Sequence, residues 1–231
     1  MKKLGLIGGM SPESTIAYYH DVVYGVRKKL GYDCFPDISI ESIDLYKWVK
    51  LCEEKRYEAM TEYTLDAIKN VAQSGADFAV LSANTAHIIF DDLSKRSPVP
   101  LISIVEATCD EAKRRGCKTI GLMGTGFTME NDFFKKPFER EGIEVVIPDK
   151  KDRDYIHKSI YSDIVCERLR PQTKEGFIKI AKKMKQDCGI EALVLGCTEL
   201  PLIFKEADIS IPYLDTVKIH VDAIIKEILK N

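Results

Sequence analysis

The stretch Glu191 to Leu202, EALVLGCTELPL, decides the fold. Ala192 to Leu195 is a short apolar run, the length of a strand buried on both faces. Gly196 lets the backbone turn sharply, Cys197, Thr198 and Glu199 follow, and Pro201 is suited to open a helix. This places one thiol at the carboxyl end of a strand, where open parallel sheets bind ligands. A helix beginning there favours thiolate over thiol and makes Cys197 a better base or nucleophile. Most cysteines are small buried hydrophobes. A Gly-Cys-Thr-Glu turn after a strand favours chemistry instead.

The stretch also has a partner. Gly75 to Asn84, GADFAVLSAN, aligns without a gap on Gly189 to Thr198, GIEALVLGCT, with Ala83 on Cys197 and an offset of 114 residues. Leu4 to Gly8 and Ile120 to Gly124 form a second pair, 116 residues apart. Two strand-turn signatures repeating at nearly one interval predict a duplicated α/β unit. The fold expected is two similar lobes, each an open, mainly parallel sheet flanked by helices. Residues 1–97 with 208–231 are expected to form the N-terminal lobe and 98–207 the C-terminal one.

The chain has 231 residues, 45% hydrophobic and 30% charged, with a net charge of −2. That is the composition of a soluble globular protein, and its balanced signs argue against nucleic acid as a partner. Lys2-Lys3 before an apolar run resembles a leader only superficially, because the run is short and lacks a small-residue cleavage pattern after it. No segment approaches the roughly 20 apolar residues that span a bilayer. Seven cysteines without a C-x-x-C pair argue against a disulfide framework and a zinc site, which points to a reducing cytoplasm.

The first strand, Leu4 to Ile7, runs into Gly8-Gly9-Met10-Ser11-Pro12-Glu13. Glycines and a helix start there are expected to present backbone N–H groups to a bound anion or carboxylate. Without G-x-G-x-x-G or a Walker lysine, nucleotide binding has little support. Tyr18, Tyr19, Val22, Val23 and Val26 form an apolar stripe on the next helix. Asp44 to Lys50 reads as an aromatic and basic loop after the second strand, and there Lys47 or Lys50 could meet an acidic substrate. Asn84 and Thr85 resemble a helix cap and could hold a substrate carboxylate. His87 and His220 read as packed histidines. Gly124-Thr125-Gly126-Phe127-Thr128 is the counterpart of the Gly8 to Ser11 turn. Arg168 and Arg170 offer a minor anion site.

Five segments carry a family resemblance over essentially the whole length: GLIGGMSPEST, ANTAH (Ala83 to His87), GTGFTMENDFF (Gly124 to Phe134), LGCTELPL (Leu195 to Leu202) and DTVKIH (Asp215 to His220). In that order they resemble the aspartate/glutamate racemase family, which needs no pyridoxal phosphate. The resemblance implies two α/β lobes facing each other across a cleft that holds the active site, a homodimer and no cofactor. It further implies two cysteines on opposite faces of the substrate's α-carbon, one removing the α-proton as thiolate and the other returning a proton as thiol. Cys197 is one of them. Met10, Asn84, Thr85, Thr125, Thr198 and Glu199 are the expected substrate contacts, with donors from Gly8 to Ser11, Asn84, Thr85, Thr125 and Thr198 stabilising charge on the α-carboxylate. Lys47, Lys50 and Arg168 are weaker candidates for the distal carboxylate.

The second cysteine is expected at position 83, which holds Ala83. Ser82 and Thr85 are near, but an unactivated hydroxyl is a far weaker base. Three readings stay open: a racemase whose partner cysteine has been replaced to trap substrate, a natural member with one-sided proton chemistry, or another reaction served by a single thiol. Arylmalonate decarboxylases, which are related, use one cysteine in that last way. An amino-acid-binding protein without catalysis is a further alternative. The Pro-Asp-Arg-Thr segment of many aspartate racemases is absent from SIDLYKWVK (Ser42 to Lys50), which leaves the group holding the distal carboxylate open.

Overall fold

The structure, a computed structural model, describes residues 1–164, 170–198, 200–204 and 210–230. Its chain divides into two compact units, Met1–Ile104 with the segment from His220, and Val105–Ile219. The first contains β1 (Leu4–Gly8), α1 (Pro12–Leu30), β2 (Ile38–Ser42), α2 (Leu45–Glu53), α3 (Tyr57–Gln73), β3 (Phe78–Leu81), a 3-10 turn (Thr85–Ile89), α4 (Phe90–Arg96) and β4 (Leu101–Ile102). The second begins within α5 (Ile104–Arg114) and continues through β5 (Thr119–Gly124), α6 (Gly126–Glu130), α7 (Lys135–Arg140), β6 (Glu144–Val146) and α8 (Lys150–Ser159). After α9 (Pro171–Cys188) come β7 (Ala192–Gly196), a 3-10 turn (Leu200–Leu202), β8 (Tyr213–Asp215) and α10 (Thr216–Ile228), whose later turns belong to the first unit.

Each unit has one four-stranded sheet. The orders, β2-β1-β3-β4 and β6-β5-β7-β8, are the same, and every pairing is parallel. The duplication read from two strand pairs therefore extends to the whole topology. Every residue of β1, β3 and β7 is buried, as expected of central parallel strands covered on both faces. Edge strand β2 shows partial exposure throughout. Tyr18, Val22 and Val26 on α1 and Met60 and Ile68 on α3 are fully buried in the first unit. In the second, Phe134 and Phe138 stack at 5.6 Å, and Ile156, Phe177 and Leu193 are equally enclosed. Each such side chain contributes roughly 1.5–3 kcal/mol by burial.

Local signals explain several boundaries. Ser11 caps α1 by accepting from the Ser14 amide at 3.2 Å, Pro12 opens the helix, and Gly31 ends it with φ of 75°. Asp44 to Lys50, expected to be a loop, is the start of α2. The Asp44 carboxylate accepts from the Tyr46 and Lys47 amides, and Trp48, Leu51 and Cys52 form the buried side of the helix. The unit boundaries also lie further along the chain than 97/98 and 207/208. β4 pairs with β3 and so joins the first sheet, while β8 pairs with β7 and joins the second. Strand pairing decides membership, and linker composition does not report it. Among the described residues no helix is long and apolar enough to cross a membrane.

Candidate functional site

In the first unit the carboxyl ends of β1 and β3 lie side by side, with Ile7 paired to Leu81. This is where the strand order reverses direction, since β2 lies on one side of β1 and β3 on the other. Met10, Ala83, Asn84 and Thr85 are gathered there by the turns that leave the two strands. Gly9 has φ of +85°, and a Cβ on it would stand 2.1 Å from the Ile43 carbonyl oxygen, so only glycine fits.

One of the backbone donors expected in this turn, the Gly9 amide, is committed inside it. The Gly9 amide donates to Thr15 Oγ1 at 2.9 Å, and the Thr15 hydroxyl donates to the Ser11 carbonyl at 2.8 Å. The turn after β3 is held as tightly. Ser14 Oγ donates to the Ser82 carbonyl, and the Ser82 amide and hydroxyl both donate to Ile7 O. Ala83 and Asn84 are buried and Thr85 is half-buried. Asn84 precedes the 3-10 turn but makes no side-chain cap bond to it, contrary to its capping pattern.

In the second unit β5 and β7 end together, with Gly124 paired to Gly196. Thr125 caps α6, accepting from the Thr128 amide at 3.3 Å. The Gly126 amide donates to His157 Nδ1 at 3.1 Å. Cys197 and Thr198 come directly after β7 and are half-buried. The Cys197 carbonyl accepts from the Leu200 amide, which closes a tight turn. The next element is the three-residue 3-10 turn at Leu200–Leu202, where an α-helix was expected. So short an element lends little dipole to the thiol.

A family model described as Asp/Glu/hydantoin racemase matches residues 7–224. The chain belongs to that family. It is similar over its full length to a candidate Asp/Glu racemase from Yersinia pestis, with 33% identity, complete coverage of both chains and a TM-score of 0.95. An aspartate racemase homologue from Pyrococcus horikoshii shows 32% identity, complete coverage of both and a TM-score of 0.88. The broad-specificity amino-acid racemase RacX of Bacillus subtilis is 22% identical over 92% of each chain.

For an Asp/Glu racemase family member, the contrast among the cysteines is informative. Burial pushes the Cys52 and Cys109 thiols up to about 11 and raises that of Cys117, so all three are inert thiols at neutral pH. Cys197 alone combines a place at a strand's carboxyl end with partial exposure among the described cysteines. Lys47 is exposed on α2, with Nζ 3.8 Å from the centre of the Tyr63 ring, a cation–π contact. Glu199 and Arg168 lie outside the described residues, and Arg170 Nε is 4.0 Å from Asp163. Among the described residues no group of three His, Cys, Asp or Glu could hold a metal ion.

Sequence reading missed the residues that brace these turns. Thr15 had a local signal, four residues after the Ser11 cap whose carbonyl it reaches. Ser14 and His157 had none, because their partners are 68 and 31 residues away.

Proposed function

We propose that this member of the family is an amino-acid racemase acting on L- and D-aspartate, glutamate or both, by proton transfer at the α-carbon without pyridoxal phosphate. Cys197 serves as one acid–base, and position 83 is that of its partner, so the chain as it stands is impaired. The observation that carries the reading is the half-buried Cys197 at the end of β7 in a chain matched to the racemase family over residues 7–224. A Cys197 thiolate removes the α-proton, and the negative charge left behind spreads onto the α-carboxylate, where Met10, Asn84, Thr85, Thr125 and Thr198 are the proposed donors. Inversion then needs a proton from the opposite face, and the Ala83 methyl has none to give. Cys197 can return only the proton it took or one exchanged with solvent, which retains configuration.

The reading further takes the protein as a cytoplasmic homodimer. Ile16, Tyr19 and Tyr24, all exposed on α1, suit a partner surface. Ala83 favours one alternative, a one-face proton-transfer enzyme such as a decarboxylase. An amino-acid-binding protein would have no use for a thiol at that turn.

The test is incubation of the protein and of Ala83→Cys with each enantiomer of aspartate and glutamate in deuterated water. Loss of the α-proton and change of chirality are followed separately. The expected result is racemisation by Ala83→Cys only, with the unaltered chain exchanging one enantiomer with retention. Racemisation by both at comparable rates would refute the two-thiol mechanism. No exchange by either would refute the substrate class, and phenylmalonate decarboxylation becomes the assay.

A further inference from the structure

Three successive carbonyls leave the end of β3, and each is caught. Ser14 Oγ takes that of Ser82, His87 Nδ1 that of Ala83 at 3.0 Å, and the His87 amide that of Asn84 at 3.0 Å. One residue therefore holds two of the three. The other ring nitrogen, Nε2, faces the Ile104 amide at 3.1 Å.

These partners fix the proton. A carbonyl can only accept and an amide N–H can only donate, so Nδ1 carries the hydrogen and Nε2 presents its lone pair. The imidazole is neutral and both nitrogens are occupied, which removes His87 from acid–base chemistry. Phe90 stacks on its face at 4.9 Å. The His220 ring stands edge-on 6.5 Å away, its Nε2 donating to the Ile102 carbonyl and its Nδ1 accepting from the Tyr18 hydroxyl. The Ile102 to Ile104 segment is thus pinned on both sides by histidines of opposite tautomer.

We propose that His87 is the positioning residue of the first unit's half of the site, setting the peptide plane at Ala83 and Asn84 from which the side chain at 83 and the Asn84 and Thr85 donors project. This rests on position 83 facing substrate. Loss of the Nδ1 bond leaves the Ala83 carbonyl unheld and lets the peptide rotate. Small rotations of that kind misplace a reacting group without unfolding anything.

The two nitrogens can be separated by substitution. In His87→Asn the side-chain amide can still donate to the Ala83 carbonyl but cannot reach Ile104. In His87→Gln the longer side chain can offer an acceptor to Ile104 and gives up the bond to Ala83. Both are made in the Ala83→Cys chain, with folded fraction followed by urea unfolding. The expected result is a loss of about tenfold or more in kcat for His87→Gln at little changed KM, and recovery of most of it by His87→Asn. Alkylation of the thiol introduced by Ala83→Cys, using iodoacetamide and read by peptide mapping, should change in the same pattern. Equal losses in both variants, tracking their stability, would overturn the proposal and leave His87 a structural residue. If Ala83→Cys does not racemise at all, the functional reading fails, and the alkylation pattern still decides the role of His87. Nitrogen-15 shifts of the unaltered protein give a check without any variant. The Nδ1–H tautomer is expected, and Nε2–H would overturn the proposal.

Discussion

β3 and β7 hold the same place in their sheets, each beside the first strand of its unit, and each ends in a short turn. After β3 the carbonyls of residues 82, 83 and 84 are all held by Ser14 and His87, and Ala83 and Asn84 are buried. After β7 the corresponding residues, Cys197 and Thr198, stay half-buried, and the Cys197 carbonyl closes a tight turn onto Leu200. Duplication has kept the strand and changed the turn. One copy buries an alanine, while the other keeps a thiol within reach of solvent.

The largest effect that bears on this contrast is chemical. Replacing Cys197 by Ala should abolish α-proton exchange, while Ala83→Cys should raise racemisation by about 10²–10⁴-fold, the usual contribution of one acid–base group. Both are read by chirality and deuterium incorporation, and equal effects from the two turns would erase the asymmetry. Next come the glycines. Gly9→Ala forces a positive φ and a 2.1 Å clash with a backbone oxygen, so a loss of about 3 kcal/mol or more is expected in urea unfolding. Gly126→Ala, in the matching turn, meets only the His157 ring at 3.4 Å and should cost under about 1 kcal/mol.

A third difference concerns acid. Burial holds His87 down to about 4 and His220 to about 3 from an ordinary 6.5. Unfolding below pH 6.5 therefore takes up protons, so the stability they confer is full above 6.5 and falls as pH drops towards those values. Each histidine adds up to ~1.4 kcal/mol per pH unit to that slope. Urea midpoints between pH 7 and 4 should show it, and His87→Asn should flatten it. The smallest effect is one in which the units should agree. Ser11→Ala and Thr125→Ala each remove a helix cap, at about 1 kcal/mol apiece. Unequal losses would mean that one hydroxyl does more than cap.

The strands and their repetition were legible because buried parallel strands are continuous apolar runs, and the pairs Leu4–Gly8 with Ile120–Gly124 and Gly75–Asn84 with Gly189–Thr198 repeat nearly in step. Cys197 was legible through its turn. The helical start at Asp44 was not, because Tyr46 and Lys47 interrupt the apolar pattern that Trp48, Leu51 and Cys52 complete only later. The two-residue β4 shows its sheet only through its pairing with Ala79 and Val80. Fastening of the site was least legible of all. His87 reaches Ile104 and His220 reaches Ile102 across 17 and 118 residues, distances at which sequence spacing says nothing about contact.

One feature of the topology bears on synthesis. The first unit includes residues from His220 onward, and a Cβ on Gly25 of α1 would lie 2.3 Å from Ile225 Cδ1, so α10 seats directly against α1. The Lys2 amide likewise donates to the Ile228 carbonyl. A chain emerging from the ribosome therefore makes the first unit's opening strand early but completes its packing only when α10 arrives. The second unit, continuous in sequence, has all its residues in hand sooner, so the half of the molecule made first is the half finished last.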